Sequence, residues 1–207
     1  MFALIRYAIF FVLLVAFVFC IRKRFPVEKR KKCYCIGACV GAVLLGISMY
    51  LPIENLFYSF ESPEAVYEYV FGDTKNVRCV IEGKDGALVV TKKQGSVKQE
   101  TTFIPKGENG WKIGSVFRFN SYICAQKTSE FVVINVWRYN NTSDYYVYVA
   151  VSNKASSTVS DSCDSEFVFV ENEHAIIYYA YIPDYDSEYY VVIDGEKHTL
   201  QEWPGFS

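Results

Sequence analysis

The chain has 207 residues and a formal net charge of −2, a near-neutral sum that hides two parts of opposite sign. Residues 1–53 carry a net charge of +7, whereas residues 54–207 carry −9, and this split predicts a boundary between two environments near residue 53. An acidic C-terminal part argues against nucleic acid as a partner, because phosphates require neutralisation by Lys and Arg. The 154 residues after the boundary are enough for one domain with its own core.

Two apolar runs lie on either side of a basic segment in the N-terminal part. Residues 2–21 and 33–53 are almost entirely apolar, and each has close to the roughly 20 residues that a helix needs to cross a bilayer. The segment between them, residues 22–32, is too highly charged to enter hydrocarbon. The sequence therefore predicts two transmembrane helices, 2–21 and 33–53, joined by a loop. The basic residues expected to set its topology are Arg22, Lys23, Arg24, Lys29, Arg30, Lys31 and Lys32.

The position of these basic residues predicts how the chain is threaded. Basic loops are retained on the cytoplasmic side, so both termini are expected to be extracytoplasmic. The chain then reads as an integral protein of the cell membrane that displays residues 54–207 as an outer domain. A cleaved signal peptide is the alternative, but the bulky residues 17–19 stand before Cys20, where a cleavage site needs small residues.

Small residues recur along the second apolar run at a spacing that suits helix packing. The spacing brings them to one helix face, which allows another backbone to approach closely. The short connection favours the first helix as the neighbour, and homodimerisation or docking on a partner protein is the alternative. The residues of this face are Gly37 and Gly41, together with Ala38, Ala42 and Gly46.

The outer domain is predicted to begin with one helix. Ser62 is a good N-cap, Pro63 suits the first helical position, and Gly72 can end the helix in a left-handed conformation. Ala65, Val66, Tyr69 and Val70 form one apolar stripe between them. We therefore expect a helix from residue 63 that packs on a sheet.

After Gly72 the apolar residues alternate with period two, which predicts about ten strands. Turn-forming sequences, among them residues 83–86, 94–96 and 105–110, separate the strands. The fold class expected is a mainly antiparallel, sandwich-like β-domain, with a possible subdivision near residues 127–130. The predicted strands are Val77–Glu82, Ala87–Lys92, Val97–Ile104, Trp111–Phe119, Tyr122–Gln126, Phe131–Tyr139, Tyr145–Ser152, Glu166–Val170, Ala175–Ile182 and Tyr189–Ile193.

The chain contains no motif for a named chemistry. Neither of its two histidines, His174 and His198, stands in a zinc-binding spacing, and no nucleophile-elbow or phosphate-loop sequence occurs. The acidic groups at residues 161–166 and 184–188 lack the loop that would make a calcium site specific, which favours solvated turn carboxylates. The sequence predicts no catalytic residue, no metal and no cofactor. The outer cysteines Cys79, Cys124 and Cys163 permit one disulfide, with all three pairings open.

Tyrosine is the most suggestive feature of the outer domain, which holds fourteen of the seventeen tyrosines. Adjacent tyrosines in a strand point to opposite faces, so one of each pair can reach the far face of the sheet. Rings aligned across strands would form a platform for a glycan or a peptide. The alternative is that tyrosine simply favours half-buried strands. The candidate binding residues are Tyr146, Tyr148, Tyr179, Tyr181 and Tyr190.

Three segments together carry a resemblance: FESPEAVYEYVFG at residues 60–72, GWKIG at 110–114 and NNTSDYYVYV at 140–149. They resemble short membrane-anchored proteins of Gram-positive bacteria with an extracytoplasmic β-rich domain. The resemblance implies a bacterial surface protein and carries over no functional residue. The function expected is a non-enzymatic domain that binds an envelope glycan or protein. The alternative is an accessory subunit that docks through its helices on a membrane transporter or sensor.

Overall fold

The computed structural model describes residues 2–50, 52–92, 98–115, 121–152, 157–172 and 174–202. Its helices are α1 (Phe2–Arg24), α2 (Val27–Tyr50) and α3 (Pro63–Phe71), with one 3-10 turn at Ile53–Leu56. The predicted turn at residues 94–96 and the end of the predicted strand Trp111–Phe119 lie outside the described residues.

Helices α1 and α2 form a hairpin whose turn is much shorter than predicted. Arg22, Lys23 and Arg24 lie in the last turn of α1, and Lys29 to Lys32 lie in the first turns of α2. Arg30 closes the hairpin: its Nε donates to the Phe25 carbonyl at 2.8 Å and its Nη2 to the Arg22 carbonyl at 2.9 Å. The basic residues expected in a loop at 22–32 therefore belong to the helices themselves.

The predicted membrane topology is wrong. Within the part of the chain that the structure describes, no helix combines the length and the apolarity that crossing a membrane requires. This finding overturns the transmembrane helices 2–21 and 33–53, and with them the integral membrane partner and the cell-membrane location with extracytoplasmic termini. The prediction treated the apolar runs as separate from the basic segment, whereas the structure joins them in the same helices.

Helix α3 forms as its local sequence predicts. The Ser62 Oγ accepts a hydrogen bond from the Ala65 N–H at 3.2 Å, and Pro63 occupies the first turn. Gly72 ends the helix with φ +81°, a left-handed value that glycine adopts without a steric cost. Val66 is buried against the β-domain.

Thirteen strands follow among the described residues, mainly in antiparallel pairs as predicted. Strand β8 lies at Val159–Asp161, where no strand was predicted, and two short strands follow the turn at Asp194–Gly195, where φ is positive at both residues. The strands are β1 (Val77–Glu82), β2 (Gly86–Lys92), β3 (Gln99–Gly107), β4 (Gly110–Trp111), β5 (Ser121–Thr128), β6 (Val132–Tyr139), β7 (Tyr145–Ser152), β8 (Val159–Asp161), β9 (Val168–Glu171), β10 (Ala175–Ile182), β11 (Tyr190–Ile193), β12 (Glu196–Thr199) and β13 (Gln201–Glu202).

The strands form three sheets that stack in layers. The first sheet has the order β1-β2-β3-β4, the central sheet β13-β5-β6-β7-β10-β9 and the outer sheet β12-β11-β8. One face of the central sheet packs on the first sheet around Leu88, Phe103 and Tyr146. Its other face packs on the outer sheet around Val149 and Val191. Residues 127–130 span the end of β5 and the turn to β6, within the central sheet.

Hydrogen bonds between two turns, at residues 83–86 and 140–144, connect the first sheet to the central sheet. The buried Asp144 carboxylate accepts main-chain N–H groups of Lys84 at 3.0 Å and Asp85 at 2.8 Å. In return the Asp85 carboxylate accepts the N–H and the hydroxyl of Ser143. Burial raises the pKa of Asp144, whereas the bond from the Ser143 N–H lowers the pKa of Asp85. This reciprocal pair fixes the register between the two layers.

Candidate binding groove

Four of the five predicted tyrosines share one face of the central sheet. Tyr148 stands opposite Tyr179, and Tyr146 stands opposite Tyr181, so the rings form two rows across β7 and β10. This face packs on the first sheet, and Tyr146 and Tyr179 are fully buried there. Only Tyr148 and Tyr181 remain half-exposed.

The hydroxyls of the two buried tyrosines donate hydrogen bonds to groups inside the β-domain. Tyr146 donates to the Gly86 carbonyl or to Asp144 Oδ2, each at 3.4 Å, and Tyr179 donates to Gln99 Oε1 at 2.6 Å. Burial raises the pKa of both tyrosines. Tyr190 lies apart from them on β11, where the Lys197 Nζ stands 3.6 Å from its ring centroid. The structure therefore does not bring the five tyrosines together on one open surface.

A groove beside α3 is a ligand-sized cavity of the β-domain that is lined by both polar and apolar side chains. It measures about 540 Å³, within the range of small-ligand and peptide sites. One wall is α3, the floor is Thr101–Ile104 of β3, and the far side is formed by Ile113–Ser115, Ser121 and Tyr139.

The wall formed by α3 presents aromatic rings to the groove. Val66 faces the core, while the rings of Tyr67 and Phe71, four positions apart on one side of the helix, have centroids 4.5 Å apart. Phe71 is 56% exposed. Sequence reasoning missed this pair, although two aromatic residues outside the buried stripe of an amphipathic helix were the available signal.

The floor of the groove follows the outer edge of β3. The Lys106 N–H donates to the Asp85 carbonyl at 2.8 Å. Because hydrogen-bonded pairs alternate along an antiparallel ladder, the even-numbered residues of β3 are the ones whose main-chain groups bond with β2. The ladder alternates, so the main-chain groups of Thr101 and Phe103 point away from β2. Residues 112–114 cover the end of this edge: Lys112 N–H donates to the Pro105 carbonyl at 3.0 Å, and Gly114 lies against the Phe103 carbonyl. Thr101 lies on the part of the edge that borders the groove.

The far side of the groove is also built from the core. The Phe103 ring stacks on Tyr139 with centroids 4.4 Å apart, which places the Tyr139 phenol beside β3. Burial raises the pKa of Tyr139, and a hydrogen bond with the Thr101 side chain acts in the opposite direction. The phenol is therefore neutral at physiological pH and serves as a hydrogen-bonding group.

The chemically reactive side chains singled out in the sequence lie elsewhere. Asp161 is buried and accepts hydrogen bonds from Cys163 N–H at 3.1 Å, Ser165 N–H at 2.8 Å and the Tyr189 hydroxyl at 2.8 Å. His198 is buried on β12, and His174 is exposed before β10. Within the described part of the chain no group of His, Cys, Asp and Glu could hold a metal ion. All seven cysteines are free thiols, including Cys79, Cys124 and Cys163.

The small residues of α2 divide between two environments. A Cβ on Gly37 would overlap the Phe17 ring, so Gly37 lies at the contact with α1. Gly41 and Gly46 have no atom within 4 Å of that position, and Ala38 and Ala42 are exposed. Both helices also expose large apolar side chains, among them Phe11, Phe19, Ile36 and Val43.

The fold and the groove define the chain as a three-layered antiparallel β protein with a helical hairpin and a groove at a strand edge. No protein-family model, no curated protein and no solved structure matches it.

Proposed function

We propose that the chain is a non-enzymatic binding protein whose β-domain holds an extended peptide segment in the groove beside α3. The observation that carries the proposal is that this groove, of about 540 Å³, runs along the outer edge of β3 at Thr101. A strand edge offers main-chain N–H and C=O groups to an added strand, and flanking pockets then select its side chains.

The walls of the groove suit a peptide with apolar side chains. Tyr67 and Phe71 provide an aromatic surface on α3. Thr102, Ser121 and the Tyr139 phenol place hydroxyl groups around the edge, where the polar atoms of a peptide backbone need partners. The groove therefore combines an apolar wall with a polar rim, as binding sites for peptides do.

The composition of the lining favours binding over catalysis. Most general acids and bases in enzymes are His, Asp, Glu, Lys or Cys side chains, and the Ser and Thr hydroxyls of the groove would need such a base beside them to act as nucleophiles. None of the described residues that line the groove is of these types. The buried carboxylates Asp144 and Asp161 are committed to main-chain donors away from it.

The test is selection of linear octapeptides from a phage-displayed random library against the full chain. Synthetic copies of the selected peptides are then titrated by fluorescence anisotropy. Phe71→Ala should weaken binding about tenfold, because it removes most of the aromatic wall. Phe131→Ala is the matched control, since Phe131 is 48% exposed at the β5–β6 turn, outside the groove.

A second pair of variants tests the strand edge itself. Thr101→Pro removes an N–H that points away from β2 and should weaken binding by about tenfold. Thr101→Val keeps that N–H and removes only the hydroxyl, so it should bind nearly as well as wild type. Selected peptides that bind Phe71→Ala and Thr101→Pro as tightly as wild type would refute the proposal, as would a library that yields no binder.

A further inference from the structure

Strand β9 is the outermost strand of the central sheet on the side opposite β13. It pairs with β10 from Val168 to Glu171, and the ladder continues through the Asn172 N–H, which donates to the Ala175 carbonyl at 2.9 Å. Because antiparallel pairs alternate, Val168 and Val170 exchange hydrogen bonds with β10. The main-chain N–H and C=O of Phe169 therefore point outward, away from the sheet.

The side chains on this edge are those that favour pairing with another strand. Residues 167–170 read Phe-Val-Phe-Val, and Val168 and Phe169 are 36% and 58% exposed. Edges are normally protected by Lys, Pro or a bulge, and none of these occurs between Val168 and Val170. An exposed apolar edge of β-branched and aromatic residues is a template for strand addition.

The two ends of the edge carry opposite charge. Asp164 and Glu166 are exposed before its N-terminal end. At the C-terminal end Arg78 and Lys92 flank Glu171, and the Lys92 Nζ reaches the Glu171 carbonyl at 3.3 Å and Asn172 Oδ1 at 3.2 Å. An antiparallel neighbour of the same sequence would set its acidic end against this basic end.

We propose that two copies of the chain associate by antiparallel pairing of their β9 strands about a two-fold axis at Phe169. Phe169 then stands opposite Phe169 of the second copy in a hydrogen-bonded pair, with the two rings as neighbours on one face. This register places Glu166 of each copy opposite Asn172 of the other, beside Lys92. The central sheets of the two copies become one continuous sheet, and the exposed edge is removed.

The experiment is sedimentation equilibrium of the full chain over a range of concentrations. A non-ionic detergent is present in every sample, so that contacts between the exposed apolar side chains of α1 and α2 are suppressed. Phe169→Lys places two like charges directly opposite each other and should raise the dimer dissociation constant about tenfold or more. Phe131→Lys makes the same change at a site that is exposed to a similar degree, 48%, and should leave the constant unchanged.

A charge exchange tests the antiparallel orientation. Recovery of the dimer in the double variant would also show that the single variants did not weaken it by unfolding the chain. Glu166→Lys and Lys92→Glu should each weaken the dimer, and the double variant should recover most of the wild-type constant. Circular dichroism confirms that each variant is folded. A wild-type chain that stays monomeric, equal effects of Phe169→Lys and Phe131→Lys, or a double variant weaker than both single variants would each overturn the proposal.

Discussion

Replacing Gly83 with alanine should be among the most destabilising single changes in the β-domain. A Cβ at this position would lie 2.6 Å from Asp144 Oδ2 and 2.7 Å from the Tyr146 hydroxyl oxygen, closer than Cβ atoms approach other atoms in proteins. Neither neighbour is free to move. Asp144 holds two main-chain N–H groups of the facing turn, and Tyr146 is fully buried between the two sheets.

The expected loss follows from these contacts. Forcing an extra methyl group into a packed site costs about 1–3 kcal/mol. Moving the Asp144 carboxylate also weakens its hydrogen bonds to Lys84 and Asp85, each worth about 0.5–1.5 kcal/mol. The sum is a loss of about 2–6 kcal/mol in the free energy of unfolding. For a chain of this size it lowers the melting temperature by on the order of 10 °C.

Urea unfolding followed by tryptophan fluorescence measures this loss in the β-domain alone, because all three tryptophans follow residue 53. Gly107→Ala is the matched control. The nearest atom to its Cβ is Lys112 Cγ at 3.0 Å, a contact that a shift of a few tenths of an ångström relieves, so its effect should stay within about 1 kcal/mol. A Gly83→Ala chain as stable as the Gly107→Ala chain would refute the packing argument.

Three further changes test other parts of the fold. Ser62→Ala removes the cap of α3 and should cost about 1 kcal/mol in urea unfolding, whereas Ser62→Asp should retain the cap; equal losses would contradict this role. Tyr189→Phe removes the hydroxyl that donates to the buried Asp161 at 2.8 Å and should cost about 1–3 kcal/mol by the same measurement, so an unchanged midpoint would count against it. Burial raises the pKa of the Cys79 thiol from 9.0 to about 11. The unfolded chain then loses this proton at lower pH than the native chain, so stability is complete below about pH 9 and falls as the pH rises towards 11. The ratio of the urea midpoint at pH 10.5 to the urea midpoint at pH 8.5 should be closer to one for Cys79→Ala than for wild type. Equal ratios in the two chains would contradict the assignment.

Elements with strong local signals were predictable from the sequence. Helix α3 begins at Pro63 after the Ser62 cap and ends at Gly72, because each of these residues acts within its own turn. Most strands were found from the alternation of apolar residues. Strands β8, β12 and β13 were missed because they are short and form only where a partner strand meets them.

The predicted ends of α1 and α2 were wrong, because they were placed from the composition of residues 22–32 alone. A dense basic segment was taken to interrupt both neighbouring helices, but lysine and arginine are good helix formers. Arg30 also satisfies carbonyl groups at the end of α1, which helps to shorten the turn to two residues, Phe25 and Pro26. Charge density alone therefore could not place the loop.

The candidate site depends on contacts between distant segments, which no local pattern encodes. Alternation correctly separated the tyrosines of β7 and β10 into two faces, but it could not show that the first sheet would cover the face of Tyr146 and Tyr179. The groove arises because α3 packs on β3, about 30 residues further along the chain. Only the aromatic pair Tyr67 and Phe71, which lies outside the predicted apolar stripe of α3, gave a signal in the sequence.

The layered architecture restricts where this protein offers its main chain to a partner. The central sheet is covered on both faces, by the first sheet around Tyr146 and by the outer sheet around Val191, so a ligand has little access to those faces. Strand edges then remain as the surfaces with outward main-chain groups. The edge of β3 at Thr101 opens into a groove with an aromatic wall, whereas the edge of β9 at Phe169 is open and oppositely charged at its two ends. A groove suits a short guest peptide, and an open edge with complementary charge suits a second copy. The two edges should therefore act independently: Phe169→Lys should leave peptide affinity unchanged, and Thr101→Pro should leave the dimer unchanged.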